Sequence, residues 1–510
     1  MYHTARVITP YQYRAPVHPR RGPASLPSGH RTGPHRSKPV EDSVPEEPGN
    51  WKDGLRPKVV HEVQHIIDQF HEATDGEIQI GVARRDHGVV DHLHVQRQIL
   101  VREEYLGRVL EILQPEDERE PERDYRRLER DYSGQIERVI PGIVLLTLTE
   151  KQLPTLEALD LVDERLGRGI ATPNHVLTVS GGEGTPCAAT EPQEVYDDIE
   201  PFPSVCGGDG GAGTLIYIED TGLLKDADAT HPWLAGVHGE PDPLPPVAKK
   251  VQPIPEYTGH GTFVAGVARC MAPGADINVS RVVSVAGRQP GRHSVAGSQL
   301  EHDWIRRLEA ALGLGADIFH VSVVTHSRHD LPLITFQRWL EHLREYGGAV
   351  CVVPAGNDGD RRLTWPAAFS EVISVGALGG DWRGRATFSN FGPWVDVYAP
   401  GRDLVNAYAT GTYTCNVHPY AGDPRVFYGM AKWSGTSFSA PIVSGLIAAR
   451  ISRTGETARQ AAAALLAEAR SHAIPGVGPV LLPRCGGHDE GPAECGCHAR
   501  RYRHHHDDTC

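Results

Sequence analysis

Apolar residues follow two rhythms along this chain. Beyond residue 213, short uninterrupted apolar runs, mostly β-branched, occur at 214–218, 277–285, 318–324, 349–354 and 372–376. Strands covered on both faces read this way, so the runs predict a buried, mostly parallel sheet. Between and after them, apolar residues recur at helical spacing over 260–270, 303–314, 334–346, 437–451 and 457–469. Strands alternating with such helices predict an α/β architecture of three layers, with helices on both faces of the sheet.

From 58 to 180 the pattern differs. Residues 95–101 (VQRQILV), 140–147 and 175–179 read as strands, with room for a fourth strand at 135–140. Residues 104–113 and 156–166 have helical spacing. Together they predict a small α+β sandwich. The charged stretch 116–130 between them reads as a solvated extension.

Three further segments lack apolar periodicity. Residues 1–57 are a Pro/Arg-rich arm expected to be disordered, and 181–212 are a Gly-, Pro- and acid-rich linker. Residues 476–510 form a Cys/His-rich tail. The expected organisation is therefore an arm at 1–57, an α+β domain at 58–180, a linker at 181–212, an α/β domain at 213–475 and the tail. Cys485, Cys495, Cys497 and Cys510 in the tail do not follow a standard metal-finger spacing, and no metal site is assigned there. The scattered Cys187, Cys206, Cys270, Cys351 and Cys415 are expected as buried free thiols.

Composition narrows the functional classes. The 510 residues carry a formal net charge of −14, which opposes electrostatic binding to nucleic acid. No apolar run is long enough to span a membrane. The first residues, Met1-Tyr2-His3-Thr4-Ala5-Arg6, lead into no apolar core of a secretory signal, so a cytoplasmic location is expected.

Candidate chemistry lies at the ends of the predicted elements. A hydroxyl is a weak nucleophile near neutrality and needs a neighbouring base, which in turn needs an acid to orient it. Asp220 follows the apolar run 214–218, at the end of a predicted strand. His260 opens a helix within Gly259-His260-Gly261-Thr262-Phe263-Val264-Ala265-Gly266. Ser437 stands in Ser434-Gly435-Thr436-Ser437-Phe438-Ser439-Ala440-Pro441, at a helix start where free N–H groups favour developing negative charge. Asn357, in Pro354-Ala355-Gly356-Asn357-Asp358-Gly359, offers an amide donor. Taken singly, each is commonplace: a turn Asp, a structural His, an N-cap Ser, a loop Asn.

In this order and these contexts, the four residues resemble the subtilisin-like serine peptidases, or subtilases. Secondary blocks agree, among them Met271-Ala272-Pro273-Gly274-Ala275, Phe388-Ser389-Asn390-Phe391-Gly392 and Val395-Asp396-Val397-Tyr398-Ala399-Pro400-Gly401. The resemblance covers about half the chain. It implies a subtilisin-like α/β domain and a serine endopeptidase with Asp220, His260 and Ser437 as catalytic triad and Asn357 in the oxyanion hole. It also implies substrate contacts at Ser322, Val323, Val324, Ala355 and Gly356, with protein or peptide as substrate. No cofactor is implied for the chemistry; structural calcium is common in the family, and no ligand set for it is named here. The sequence departs from the family at His320-Val321-Ser322-Val323-Val324-Thr325, where Asn-Met-Ser-Leu-Gly is usual.

The 58–180 segment then has two readings: a propeptide-like domain that acts as an intramolecular inhibitor, or an unrelated accessory domain. For the whole protein, the alternative to a peptidase is a non-catalytic peptide-binding protein on the same fold.

Overall fold

The computed structural model describes residues 57–85, 89–114, 132–179, 189–196, 200–242, 252–281, 295–416 and 420–483, with a few single residues between them. The arm up to residue 50, nearly all of the charged stretch 116–130 and the tail from 484 lie outside the described residues. The described residues all fall in one compact unit.

The N-terminal part runs α1 (Pro57–Thr74), β1 (Ile80–Arg85), β2 (Val89–Arg102), α2 (Leu106–Leu113), β3 (Ile136–Ile140), β4 (Ile143–Thr147), α3 (Thr155–Leu166) and β5 (Ala171–Val179). The expected strands and helices are present. The hairpin that β1 forms with β2, and helix α1, were not foreseen. Successive strand residues point to opposite faces. Ile99 and Val101 join Leu106, Val109, Leu110, Leu159 and Val162 in a core beneath α2 and α3. Leu100, Leu145 and Leu177 instead enter the large core of the following domain. This sheet is thus covered on both sides, and α1 closes a smaller core of Val63, Ile66, Phe70, Ile80, Leu93 and Val95.

The chain continues with β6 (Leu215–Asp220), β7 (Val237–Gly239), α4 (His260–Met271), β8 (Asp276–Arg281), β9 (Ser298–Leu300), α5 (Glu301–Ala311), β10 (Ile318–Val321) and β11 (Val323–Val324). Then follow α6 (Ile334–Leu343), β12 (Val350–Pro354), β13 (Ile373–Leu378), β14 (Val397–Pro400), β15 (Leu404–Thr414), β16 (Pro424–Trp433), α7 (Thr436–Thr454) and α8 (Ala458–Ser471). Seven strands form a parallel sheet in the order β14-β13-β12-β10-β6-β8-β7. Neighbouring residues of β10 show its two covered faces. The Phe319 ring packs on Trp339 of α6, whereas His320 Nδ1 lies 3.0 Å from Ser444 Oγ of α7. The expected three-layer, mostly parallel α/β domain is the fold observed. The antiparallel pair β15–β16 was not foreseen: β16 alternates buried and exposed residues instead of forming an apolar run.

A second sheet crosses from one part to the other. β5 pairs antiparallel with β2, and its last residues pair antiparallel with both β9 and β11. Thr178 is opposite Ser298 on one side and Val324 on the other, so 177–179 lie between two segments of the α/β domain as a shared strand. Helices α5 and α6 pack under β2–β5.

Buried polar groups line this junction. His175 Nδ1 donates to Glu301 Oε2 at 2.6 Å, and Thr335 Oγ1 donates to Glu301 Oε1 at 2.5 Å. The His92 ring lies 5.3 Å from that of His175, and burial pushes His92 down to about 3, keeping it neutral near pH 7. Arg328, 5 % exposed, donates to Asp163 on α3 at 2.7 Å and also pairs with Asp160.

One expectation fails. Cys206 is disulfide-bonded, while Cys270, Cys351 and Cys415 are buried free thiols. The stretch before Cys206 is tied down: Phe202 bridges to Val405, and Cys206 N–H donates to Cys270 O at 2.8 Å.

Arg328→Ala strands the largely buried Asp163 carboxylate. It is expected to weaken docking of 57–179 by about 3 kcal/mol, the usual cost of breaking a buried ion pair. Urea unfolding should show an earlier first transition, and an unchanged curve would rule out this ion pair as a docking determinant.

Candidate active site

Asp220 ends β6, His260 is the first residue of α4, and Ser437 lies in the first turn of α7. All three are buried. Helices α4 and α7 pack directly on one another, which brings the start of each toward the carboxyl edge of the sheet.

His260 Nδ1 donates to Asp220 Oδ1 at 2.7 Å, and the same oxygen accepts from Thr221 N–H at 2.7 Å. Burial alone would raise the Asp220 carboxyl. The charge and hydrogen bond of His260, with the Thr221 amide, instead hold it below the ordinary carboxylate range. The imidazole lies 5.2 Å from the ring of Phe438 and 5.5 Å from that of Trp433. Phe438, the residue after Ser437, therefore forms one wall of the imidazole's pocket.

Glycine at 261 is a steric requirement. A Cβ there would meet Gly222 O at 2.4 Å and Asp220 Oδ1 at 3.2 Å. Gly259 has φ +87°, a left-handed backbone that favours glycine.

Asn357 joins this group through the start of α7. Its Oδ1 accepts from Thr436 N–H at 2.9 Å and from Thr436 Oγ1 at 3.0 Å, and Gly356 N–H donates to Thr436 Oγ1 at 3.2 Å. Oδ1 is thus committed to Thr436, and the –NH2 group is the end of the amide directed away from it. Asn390 supports the same loop: its Nδ2 donates to Asp358 Oδ2 at 3.0 Å and to Ala355 O at 3.2 Å. The sequence placed Asn390 in a matching block without a role. Only the fold shows that it braces Ala355, Gly356 and Asn357.

The remaining expected residues lie on the adjoining edge. Ser322 N–H donates to Glu219 O at 3.1 Å, and Val323 and Val324 are the residues paired with Val179 and Thr178. Val324, in place of the family's glycine, is buried there. Among the described residues no group of three or more His, Cys, Asp or Glu side chains is arranged to hold a metal ion.

The model of the subtilase family matches residues 211–481, more than half the chain. The chain belongs to the subtilase family. Among its relatives, this subtilase is 30 % identical to the thermophilic serine proteinase of Bacillus sp. (strain AK1) over 254 residues, which are 47 % of the chain and 52 % of that protein. It is 28 % identical to the intracellular serine protease of Paenibacillus polymyxa over 264 residues, 48 % of the chain and 69 % of that protein. Among solved structures, fervidolysin from Fervidobacterium pennivorans, a keratinolytic enzyme related to subtilisin, aligns with a TM-score of 0.49 at 18 % identity, over 79 % of the chain and 61 % of that structure. The subtilase thus spans about half the length of the thermophilic relative. Both curated relatives are serine proteases, the class expected from the sequence.

Gly261→Ala is expected to push the imidazole off Asp220 and to destabilise the fold by about 2 kcal/mol through overpacking. The far-downfield ring N–H proton of His260 in the NMR spectrum should disappear, and its persistence unshifted would contradict this geometry.

Proposed function

We propose that this subtilase is a serine endopeptidase in which Ser437 is the nucleophile, His260 the general base and Asp220 the residue that orients the imidazole. The observation that carries this reading is the buried 2.7 Å hydrogen bond from His260 Nδ1 to Asp220 Oδ1. It commits Nδ1 as donor and leaves Nε2 to accept the Ser437 proton as the hydroxyl attacks a peptide carbonyl. The Asn357 –NH2 and the Ser437 backbone N–H bind the oxyanion, a donor set in which one member is typically worth about 3 kcal/mol. His260 then protonates the leaving amine, and water hydrolyses the acyl-enzyme. None of these steps calls for a cofactor.

The substrate is an extended polypeptide. Ser322, Val323 and Val324 offer a strand edge for it, with Ala355 and Gly356 beside the reacting carbonyl. The described structure has that edge covered by β5 of the same chain, which supports reading 58–180 as an intramolecular inhibitor. β5 runs antiparallel to β11, with Thr178 opposite Val324 and Val179 opposite Val323. Cutting within 181–212 would separate the inhibitor from the peptidase domain.

On incubation, the wild-type chain is expected to lose roughly its first 180–210 residues, and Ser437→Ala to keep its full mass. After N-terminal removal a fluorophosphonate should label the wild type and not Ser437→Ala. Absence of labelling in both would favour a non-catalytic peptide-binding protein, and equal self-cleavage in both would exclude Ser437 as the agent.

A further inference from the structure

Asp242 lies in the loop after β7, at a position no sequence motif singled out. It is 7 % exposed. Its Oδ2 accepts from two donors: the Thr221 hydroxyl at 2.9 Å and Gly259 N–H at 2.7 Å. Thr221 directly follows Asp220, and Gly259 directly precedes His260. The Thr221 hydroxyl oxygen in turn accepts from Gly261 N–H at 3.0 Å. Both backbone amides that flank His260 are therefore held by one two-residue unit, Asp242 with Thr221, and the same unit is joined through Thr221 N–H to Asp220 Oδ1.

We propose that Asp242 is a positioning residue for the Asp220–His260 pair, clamping the loop after β6 to the start of α4 so that the imidazole stands in register with the Asp220 carboxylate. This rests on the serine-peptidase reading above and deepens it.

Burying a carboxylate to satisfy two donors is a costly choice, since a neutral amide oxygen would accept both bonds. What the acid adds is charge, and charge-assisted hydrogen bonds are shorter and stronger than neutral ones. Burial pushes the Asp242 carboxyl up to about 7; the nearby Asp220 charge adds to the rise, and the Arg281 guanidinium and the two hydrogen bonds oppose it. The sign of the linkage follows. Between about pH 4 and pH 7 the folded chain retains a proton that the unfolded chain releases, so this group contributes stability at low pH that is lost as pH rises through about 7. The ionised clamp forms over the same rise. Alignment of His260 and stability of the fold thus have opposite pH dependences at this residue, which separates a positioning role from a structural one.

The test uses the full chain, incubated until hydrolysis of a peptide p-nitroanilide is steady, in wild type, Asp242→Asn, Thr221→Val and Thr221→Ser. Asp242→Asn and Thr221→Val are each expected to lower kcat by roughly tenfold to a hundredfold, the range that small misplacements of catalytic groups cost, with KM unchanged. Thr221→Ser keeps the hydroxyl and should retain wild-type kcat. At pH 8 the melting temperature of Asp242→Asn should equal or exceed that of wild type. In wild type the acid limb of kcat/KM should follow two protonations, His260 and Asp242, and in Asp242→Asn one. Wild-type kcat and an unchanged acid limb in Asp242→Asn would overturn the proposal. So would losses that track melting temperature and are not spared in Thr221→Ser. The His260 ring N–H resonance, followed against pH, covers the case of an inactive chain. If wild type neither turns over nor labels at Ser437, the peptidase reading fails, while a resonance that sharpens through about pH 7 in wild type and not in Asp242→Asn still supports the clamp. A resonance identical in the two proteins refutes the clamp whatever the activity.

Discussion

A carboxylate and an imidazole, both withdrawn from water, share one short hydrogen bond between Asp220 and His260. Such a pair is costly to bury and is held only if hydrogen bonds and packing leave it no second arrangement. Much of the local structure answers to that constraint. Gly222 and Gly261 let two backbones approach closer than a Cβ would allow. Trp433 and Phe438 pack against the imidazole with Phe263 behind them, and Thr221 supplies both an amide for Asp220 and a hydroxyl for the chain beside His260. The packing of α4 on α7 then sets the first turn of α7, where Ser437 lies, beside the start of α4.

The cleft is governed by a different requirement. A short strand such as Val323–Val324 exposes unpaired backbone groups unless something extended lies beside it. In the described structure β5 meets that need, and β9 pairs with the far edge of β5. The N-terminal part is consequently bound by backbone hydrogen bonds, by buried ion pairs such as that of Arg328, and by apolar residues such as Leu177 and Val179 that belong to the larger core. On the proposed reading, a peptide substrate would have to replace the same strand, and inhibition and recognition would draw on one set of backbone groups.

Much of this was readable along the chain. Continuous β-branched runs marked the parallel strands because burial on both faces removes polar alternation, and helical spacing marked α4 to α8. Asp220, His260, Asn357 and Ser437 stood out only together, because their order and contexts resemble the subtilases while each alone is commonplace. The β15–β16 pair escaped notice because one of its faces is solvated. Helix α1 does carry a local helical stripe at Val59, Val63, Ile66, Phe70 and Ala73, whereas the six-residue strand β1 is too short to mark itself.

The sequence by itself determined the layered α/β fold and the residue types of the site, since both are written in local periodicity and short motifs. Tertiary structure alone decided which distant residues serve that site. Asp242 meets Thr221 and Gly259 across 21 and 17 positions, and Asn390 meets Ala355 across 35, through contacts no local pattern encodes. It also decided that β5 lies between Ser298–Leu300 and Val323–Val324, because strand pairing is fixed by the partner's free backbone groups, and these exist only once the domain around the Asp220–His260 pair has folded.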